Sequence, residues 1–345
     1  MMNKLLTIVI PTYNMQDYLP RCLDSLVLKD KQLMDCLEVL VINDGSKDKS
    51  STIAHEYEAK YPNTFRVIDK ENGNYGSCVN RGLKEATGKY IKVLDADDWF
   101  DTVNFERYLR FLLTTDVDLV LSDFDNVSED GTVQETHSYN IPEGQWRISK
   151  LGDALYDMWM HAVTYRRAIF EDLNYHQTEG ISYTDQEWIF LPMSRVKSLC
   201  GFPHVVYKYL VGREGQTVNP KTYVRNIAQE IRSWETQQEE WDASAQSGRG
   251  DAGEYLWYRL KSRAIAIETN MILYYYNGFK NDMLLEYDEY IRNHNSELYQ
   301  EMEQVTRRGG LKFRYIYYWR RFKCRPIISL IWKTESVLKR KLFGL

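Results

Sequence analysis

The sequence predicts an α/β protein, a parallel sheet with helices on both faces, followed by a helical C-terminal region. Three observations predict it. Over the first hundred residues, short runs rich in Val, Ile and Leu alternate with segments whose apolar residues recur at helical spacing. The connections between them are short and rich in Asp, Asn, Ser and Gly, which suits crossovers between parallel strands. From Thr222 onward the texture changes to long amphipathic stretches.

Residues 5–11, LLTIVIP, read as a first buried strand, and Thr12-Tyr13-Asn14 as the loop after it. Leu19, Cys22, Leu23 and Leu26 mark one helix face over residues 18–28. Residues 37–42, LEVLVI, are a second strand that runs into the turn Asn43-Asp44-Gly45-Ser46-Lys47-Asp48. Ser46 or Asp48 can cap a helix over residues 50–61. Phe65–Asp69 is a third strand. A glycine loop over residues 72–76 leads into a helix at residues 77–86, ended by Gly88. The central strand starts at Tyr90. Beyond residue 100 we expect a helix at 105–113, strands at 117–122 and 133–141, a helix at 152–160, and extended segments at 164–167 and 205–210. A helix capped by Thr184 or Asp185 runs to about Met193. Amphipathic helices follow at 224–241, 255–276 and 283–294.

The 345 residues are enough for one large or two medium domains with a real core. Five scattered cysteines without a C-x-x-C pair point away from a zinc site or disulfide framework and toward a reducing, cytoplasmic setting. No leader or membrane-length apolar run is expected. The net charge of −5 hides an asymmetry. Residues 305–345 hold twelve Lys/Arg and one acid, so that segment is +11 and the remainder is −16. Such a division points to two kinds of partner.

Chemistry concentrates where the apolar run Tyr90-Ile91-Lys92-Val93-Leu94 ends in Asp95, Asp97 and Asp98. Ligands of open α/β sheets collect at carboxyl strand ends. Clustered carboxylates repel one another unless a cation lies among them, and oxygen ligands suit Mg²⁺ or Mn²⁺. The same acids also fit a solvated turn capping the next helix. Two nucleotide motifs are excluded. In residues 82–90 the glycine spacing is one too long for a phosphate loop, and Tyr90 stands where a Ser or Thr is needed. No G-x-G-x-x-G follows the first strand.

Five stretches together carry a resemblance: Ile10-Pro11-Thr12-Tyr13-Asn14; Val41-Ile42-Asn43-Asp44-Gly45-Ser46-Lys47-Asp48; Asn72-Gly73 through Asn80-Arg81-Gly82; Ala86-Thr87-Gly88-Lys89-Tyr90; and Asp95-Ala96-Asp97-Asp98. In order and spacing the chain resembles family 2 glycosyltransferases of the bacterial capsule and exopolysaccharide type, closely over the first 100 residues and loosely to about 220. The resemblance implies a GT-A fold, a mixed sheet flanked by helices. It also implies a nucleotide-diphosphate sugar donor (UDP first), Mn²⁺ or Mg²⁺, and inversion at the anomeric carbon. Residues 1–220 are then the catalytic domain, with 1–100 binding nucleotide and 101–220 binding acceptor. Residues 221–345 form the helical region with a basic aromatic tail. Asp44 accepts the N3–H of a pyrimidine base, and Pro11, Tyr13 and Asn14 floor it, with Tyr13 stacking. Asp95 and Ala96 meet the ribose, and Asp97 with Asp95 ligates the metal. Asp98 either ligates or caps. Asn80 and Arg81 line the donor side, where Arg81 or Lys92 compensates for Tyr75 and Val79 in a loop usually small and polar.

An inverting transfer needs a base for the acceptor hydroxyl. Thr184-Asp185-Gln186-Glu187-Trp188 matches the family's downstream acid pair, which makes Asp185 the base and places Glu187, Trp188 and His161 at the acceptor. The rival for Asp185 is a helix cap. Arg213 is a candidate diphosphate clamp, against a surface ion pair. The acceptor is expected to be a glycan or a polyprenyl-linked glycan, and nucleic acid is not an expected partner. A homo-oligomer is a further expectation. In the tail, Phe313, Tyr317, Tyr318, Trp319 and Phe322 interleave with Arg314, Arg320, Arg321 and Lys323, which suits the anionic inner face of the plasma membrane. Two other classes stay open: a nucleotidyltransferase, disfavoured because residues 11–15 carry no Lys or Arg, and a non-catalytic carbohydrate- or nucleic-acid-binding protein.

Overall fold

The computed structural model describes residues 4–343 apart from 172, 174, 214–219, 246–248, 275–280 and 306–312. Strand β1 (Leu6–Thr12) is buried along its whole length. Two short helices follow, α1 (Leu19–Asp24) and α2 (Lys31–Cys36). The sequence reading missed α2. Its signal is Asp30, whose carboxylate accepts the Gln32 and Leu33 N–H groups as an N-cap. Then come β2 (Leu37–Asn43), α3 (Ser50–Lys60), β3 (Phe65–Asp69), α4 (Asn74–Glu85) and β4 (Tyr90–Val93). Asp48 Oδ1 accepts the Ser50 N–H at 2.9 Å, so it serves the first turn of α3. Helix α4 packs on β1 at Gly82, where a Cβ would collide with the Val9 side chain.

Strands β1 to β4 run parallel in the order β3-β2-β1-β4. Strands covered on both faces read as unbroken apolar runs, which is why the sequence showed them plainly. Pro11 sits in β1 without loss. Val9 O faces β4 and accepts Leu94 N, while Thr12 O faces β2 and accepts Asp44 N. Pro11 shares the parity of Val9, and the β1–β4 ladder has already ended at Val9 and Val93.

The next half departs from the parallel expectation. After β5 (Trp99–Phe100) and α5 (Thr102–Thr114) come β6 (Leu119–Val127), β7 (Val133–His137) and β8 (Val163–Arg166). The helix α6 (Asp185–Trp188) precedes the long strand β9 (Leu199–Leu210). β8 lies antiparallel between β4 and β6, β9 runs parallel to β6, and β7 pairs with β6 at the side. The sheet is therefore mixed. Because β8 runs against its neighbours β4 and β6, its amino end lies at the same edge as the carboxyl ends of β1, β2, β4, β6 and β9.

Two expected helices shrink. The segment at 152–160 keeps one 3-10 turn, Gly152–Leu155. The helix after Thr184 stops at Trp188, and a 3-10 turn, Leu191–Arg195, follows. Pro192 has no N–H to give the Trp188 carbonyl, which takes the Tyr165 hydroxyl at 3.1 Å instead.

The remaining helices are α7 (Pro220–Ser244), α8 (Gly253–Leu273), α9 (Asn281–His294), α10 (Ser296–Met302), α11 (Tyr315–Phe322) and α12 (Arg325–Phe343). The chain divides into two units, one of residues 1–216 and 236–256, the other of 217–235 and 257–345. The second has its own core. Trp234 is fully buried, donates to Leu260 O at 3.0 Å and meets the Tyr287 ring edge-on at 5.4 Å. No described helix is long and apolar enough to cross a membrane.

Candidate active site

The acids of the 95–98 turn and the aromatic residues of β9 meet at the shared edge. Asp98 is 1% exposed; its Oδ2 accepts the Tyr207 hydroxyl at 2.6 Å and its Oδ1 the Leu210 N–H at 2.7 Å. Tyr207 Oη in turn accepts the Asp95 N–H at 3.1 Å, and Asp95 Oδ1 accepts the Tyr75 hydroxyl at 2.8 Å. His161, just before β8, is buried and stacks on Tyr209 at 4.2 Å. Carboxylate oxygens of Asp95 and Asp98 and a ring nitrogen of His161 all lie within 4.8 Å of one another.

The electrostatics follow from burial. Burial pushes Asp95 up to about 7, with the charge of Asp97 adding to the effect. Burial, then Asp97 and Asp95, holds Asp98 well above the carboxylate range. Burial, then the nearby Lys92, lowers His161 to about 3, so its imidazole is neutral. Its Nδ1 has no hydrogen-bond partner among the described residues. Two carboxylates that burial penalises when charged, beside a neutral imidazole with an unused nitrogen, fit a divalent cation. The imidazole favours Mn²⁺ over Mg²⁺, which prefers an all-oxygen shell.

Asp97 lies outside this trio. Its Oδ2 accepts Arg213 Nε at 2.9 Å, and the Arg213 guanidinium lies over the Tyr18 ring at 5.3 Å. Asp97, expected beside Asp95 as a metal ligand, pairs with Arg213 here, while Asp98 and His161 bring ligand atoms to Asp95. Asp98 caps no helix, since Asp101 caps α5. Ala96 is buried.

Asp185 opens α6. Burial is the larger cause of the raised values of Asp95, Tyr75 and Tyr209, and the charge of Asp185 raises each of them further. The Asp185 carboxylate is therefore near the cluster, with Gln186 Nε2 donating to its Oδ2 at 2.8 Å. Its two expected companions belong elsewhere. Trp188 is 1% exposed and stacks on Phe170 at 5.3 Å in the core. Glu187 is fully buried and accepts the Thr178 N–H at 2.7 Å. Neither shapes an open acceptor pocket.

At the other end of the edge, Asp44 is 3% exposed. Its Oδ1 accepts Lys70 Nζ at 2.5 Å and Gly73 N–H at 2.9 Å, and its Oδ2 accepts Asn74 N–H at 2.9 Å. Gly45 turns the chain with φ +71°, close enough to the Asn72 backbone that a Cβ would crowd it at 3.3 Å. An open cavity of about 580 Å³ lies here, lined by Gly45, Lys47, Asp69, Lys70, Glu71 and Asn72. Tyr13 is 44% exposed. Asn14 Oδ1 accepts Lys47 N–H at 2.7 Å, tying this loop to that of Asp44.

Three residues expected on the donor side make contacts within the protein. Asn80 donates to Gln177 O at 2.8 Å and accepts Gln177 N–H at 2.8 Å, so it clamps the segment before α6. Arg81 pairs with Glu85 one helical turn away. Lys92 is fully buried, lowered to about 7 by burial, and donates to the carbonyls of His161 at 2.6 Å and Val163 at 3.1 Å. The sequence reading also missed the roles of Tyr75, Tyr207 and Tyr209. The alternation Tyr207-Lys208-Tyr209 at a strand's carboxyl end was the available signal, since i and i+2 share a face.

Residues 7–173 match the family model Glycosyl transferase family 2. The chain is 29% identical over 187 residues to the uncharacterized glycosyltransferase EpsJ of Bacillus subtilis, covering 52% of this chain and 53% of that one. It is 31% identical over 196 residues to the uncharacterized glycosyltransferase YibD of Escherichia coli, covering 53% and 54%. It spans about half the length of these curated relatives. Residues 1–349 of Staphylococcus aureus TarS, solved with UDP-GlcNAc, superpose with a TM-score of 0.54 at 16% identity, covering 87% of this chain and 92% of that one. The fold is GT-A.

Proposed function

We propose that this chain, whose residues 7–173 match the Glycosyl transferase family 2 model, is an inverting, cation-assisted glycosyltransferase. It moves a sugar from a nucleotide-diphosphate sugar, UDP-linked first, to a glycan or lipid-linked glycan of the kind found in capsules and exopolysaccharides. One observation carries the reading. Asp95, Asp98 and His161 converge at the edge where Asp185 is near enough to perturb Asp95.

The roles divide along the edge. Asp44 and Tyr13 bind the base beside the open cavity, where Asp44 Oδ2 keeps acceptor capacity beyond its bond from Asn74. Asp95, Asp98 and His161 hold Mn²⁺ or Mg²⁺, which when bound neutralises charge growing on the departing nucleoside diphosphate. Arg213, which here pairs with Asp97, meets the diphosphate when the donor binds. Asp185 takes the proton of the attacking acceptor hydroxyl. The test is a donor-hydrolysis screen of UDP-, dTDP- and GDP-sugars with and without Mn²⁺, which needs no acceptor. Metal-dependent hydrolysis of one donor supports the reading. Full transfer activity in both Asp97→Ala and Asp185→Asn would sink the roles of Arg213's partner and the base.

The second unit supports a membrane partner. Ten large hydrophobic side chains stand exposed among the described residues, and Tyr318, Phe322, Ile327 and Leu330 supply four of them within thirteen positions. Arg321, Lys323 and Lys333 are exposed in the same stretch. Cations around an apolar strip suit an anionic bilayer. Sedimentation with phosphatidylglycerol vesicles but not phosphatidylcholine vesicles, weakened by salt, is the expected result.

A further inference from the structure

We propose that the indole of Trp159 is the stacking platform for a pyranose ring of the acceptor, a subsite that rests on the glycosyl-transfer reading above. Trp159 is the one tryptophan among the ten exposed large hydrophobics of the described residues, at 44%. Lone exposed apolar residues are ordinary, so exposure by itself decides nothing. Three further facts set this one apart. The ring is held from behind by other rings, His137 at 5.8 Å, Phe124 at 6.1 Å and His161 at 6.1 Å, the last nearly parallel at 24°. Its backbone N–H donates to the Tyr139 hydroxyl at 3.0 Å, so ring and main chain are both anchored. His161 is itself one of the three groups that converge with Asp95 and Asp98.

The location selects acceptor over donor. In the sheet order β2-β1-β4-β8, the base cavity lies at the end of β2 and the acids at the end of β4. Trp159 leads into β8, on the far side of the acids from the base. A ring resting there presents its hydroxyls toward the acids, while its C–H face covers the indole. An aromatic face already fixed in place binds such a face without first losing rotamer freedom.

The test uses full-length protein labelled with 5-fluorotryptophan, the Trp159 resonance being assigned with Trp159→Phe. Methyl glycosides of glucose, galactose and N-acetylglucosamine are titrated against it, and UDP, dTDP and GDP, each with Mn²⁺, are titrated separately. One glycoside is expected to move the Trp159 resonance. An unmoved resonance with all three glycosides, while a nucleotide still stabilises the protein, overturns the platform and leaves the transferase reading standing. Failure of every nucleotide to bind overturns the reading beneath it. With an acceptor carrying the responsive sugar, Trp159→Ala is expected to raise acceptor KM about tenfold and Trp159→Phe about threefold, with donor KM moving less. The opposite split, donor KM moving most, would assign the ring to the donor sugar and refute the acceptor subsite.

Discussion

Each unit of the molecule draws a pair of acids out of water, Asp95 half-buried and the other three buried, and the two pairs meet different partners. In the second unit, Glu268 is fully buried and Asp288 is 5% exposed. Arg320 serves both, with Nη2 at 3.1 Å from Glu268 Oε2 and Nε at 2.7 Å from Asp288 Oδ1, and its guanidinium lies 3.5 Å from the Tyr299 ring centre. Burial still pushes Glu268 up to about 8, against the pull of Arg320. In the first unit, Asp95 and Asp98 meet two tyrosine hydroxyls, backbone N–H groups and the neutral His161. Both clusters meet the same desolvation penalty. The chain answers one with its own guanidinium; on the function proposed above, a cation from solution would answer the other.

That contrast can be broken at several points. The largest effect is expected at Arg320→Met, which strands Glu268 and Asp288 and should lower stability by about 3–5 kcal/mol in urea unfolding. A smaller loss would mean that the second cluster is no more closed than the first. Next, Asp98→Asn should cut sugar transfer by about a hundredfold to a thousandfold while the protein stays folded, measured as kcat with Mn²⁺. Wild-type rates there would remove the first cluster from the chemistry. His161→Phe keeps the stack on Tyr209 and removes the ring nitrogen, so Mn²⁺ affinity by calorimetry should fall about tenfold or more. Asp95→Asn keeps an acceptor for Tyr75 and removes a charge that burial opposes. In EDTA its unfolding free energy should equal or exceed the wild type's, by no more than about 1 kcal/mol, while its stabilisation by Mn²⁺ disappears.

The smallest effect extends the comparison to the surface. His55 bridges Glu58 at 2.8 Å and Asp69 at 2.9 Å with all three groups open to water. Hydrogen bonds to Asp69 and then Glu58 raise His55. At Asp69 burial acts upward, but the bonds from His55, Asn43 and Ser51 outweigh it and the carboxyl is lowered. The raised histidine stabilises fully below about pH 6.5 and loses that contribution as pH rises through its folded value. The lowered Asp69 stabilises above about pH 4 and loses its share as pH falls. The difference in Tm between wild type and His55→Gln should therefore peak between about pH 4 and 6.5. After screening by water it should be worth no more than about 0.5 kcal/mol. A difference that grew above pH 7 would contradict the assignment.

Much of this molecule is local in origin. The buried runs of β1, β2 and β4, the turn at Asp44-Gly45 and the acids ending β4 are set by neighbours along the chain, through burial periodicity and turn chemistry, and were legible as letters. The site was legible only as far as one segment supplies it. Asp95 and Asp185 could be named, but the partners that define their chemistry come from the amino end of the reversed strand β8 and the carboxyl end of β9, more than sixty positions away from Asp95. Whether Glu187 and Trp188 point into a cleft or into a core depends on what packs above a four-residue helix. The sequence by itself determined the parallel half, its carboxyl edge and the acids there, because period and propensity act over a few residues. Only the tertiary structure decided that Asp98 and His161 bring ligand atoms to Asp95 while Asp97 takes Arg213, because the reversal of β8 and the burial around it are properties of the assembled sheet.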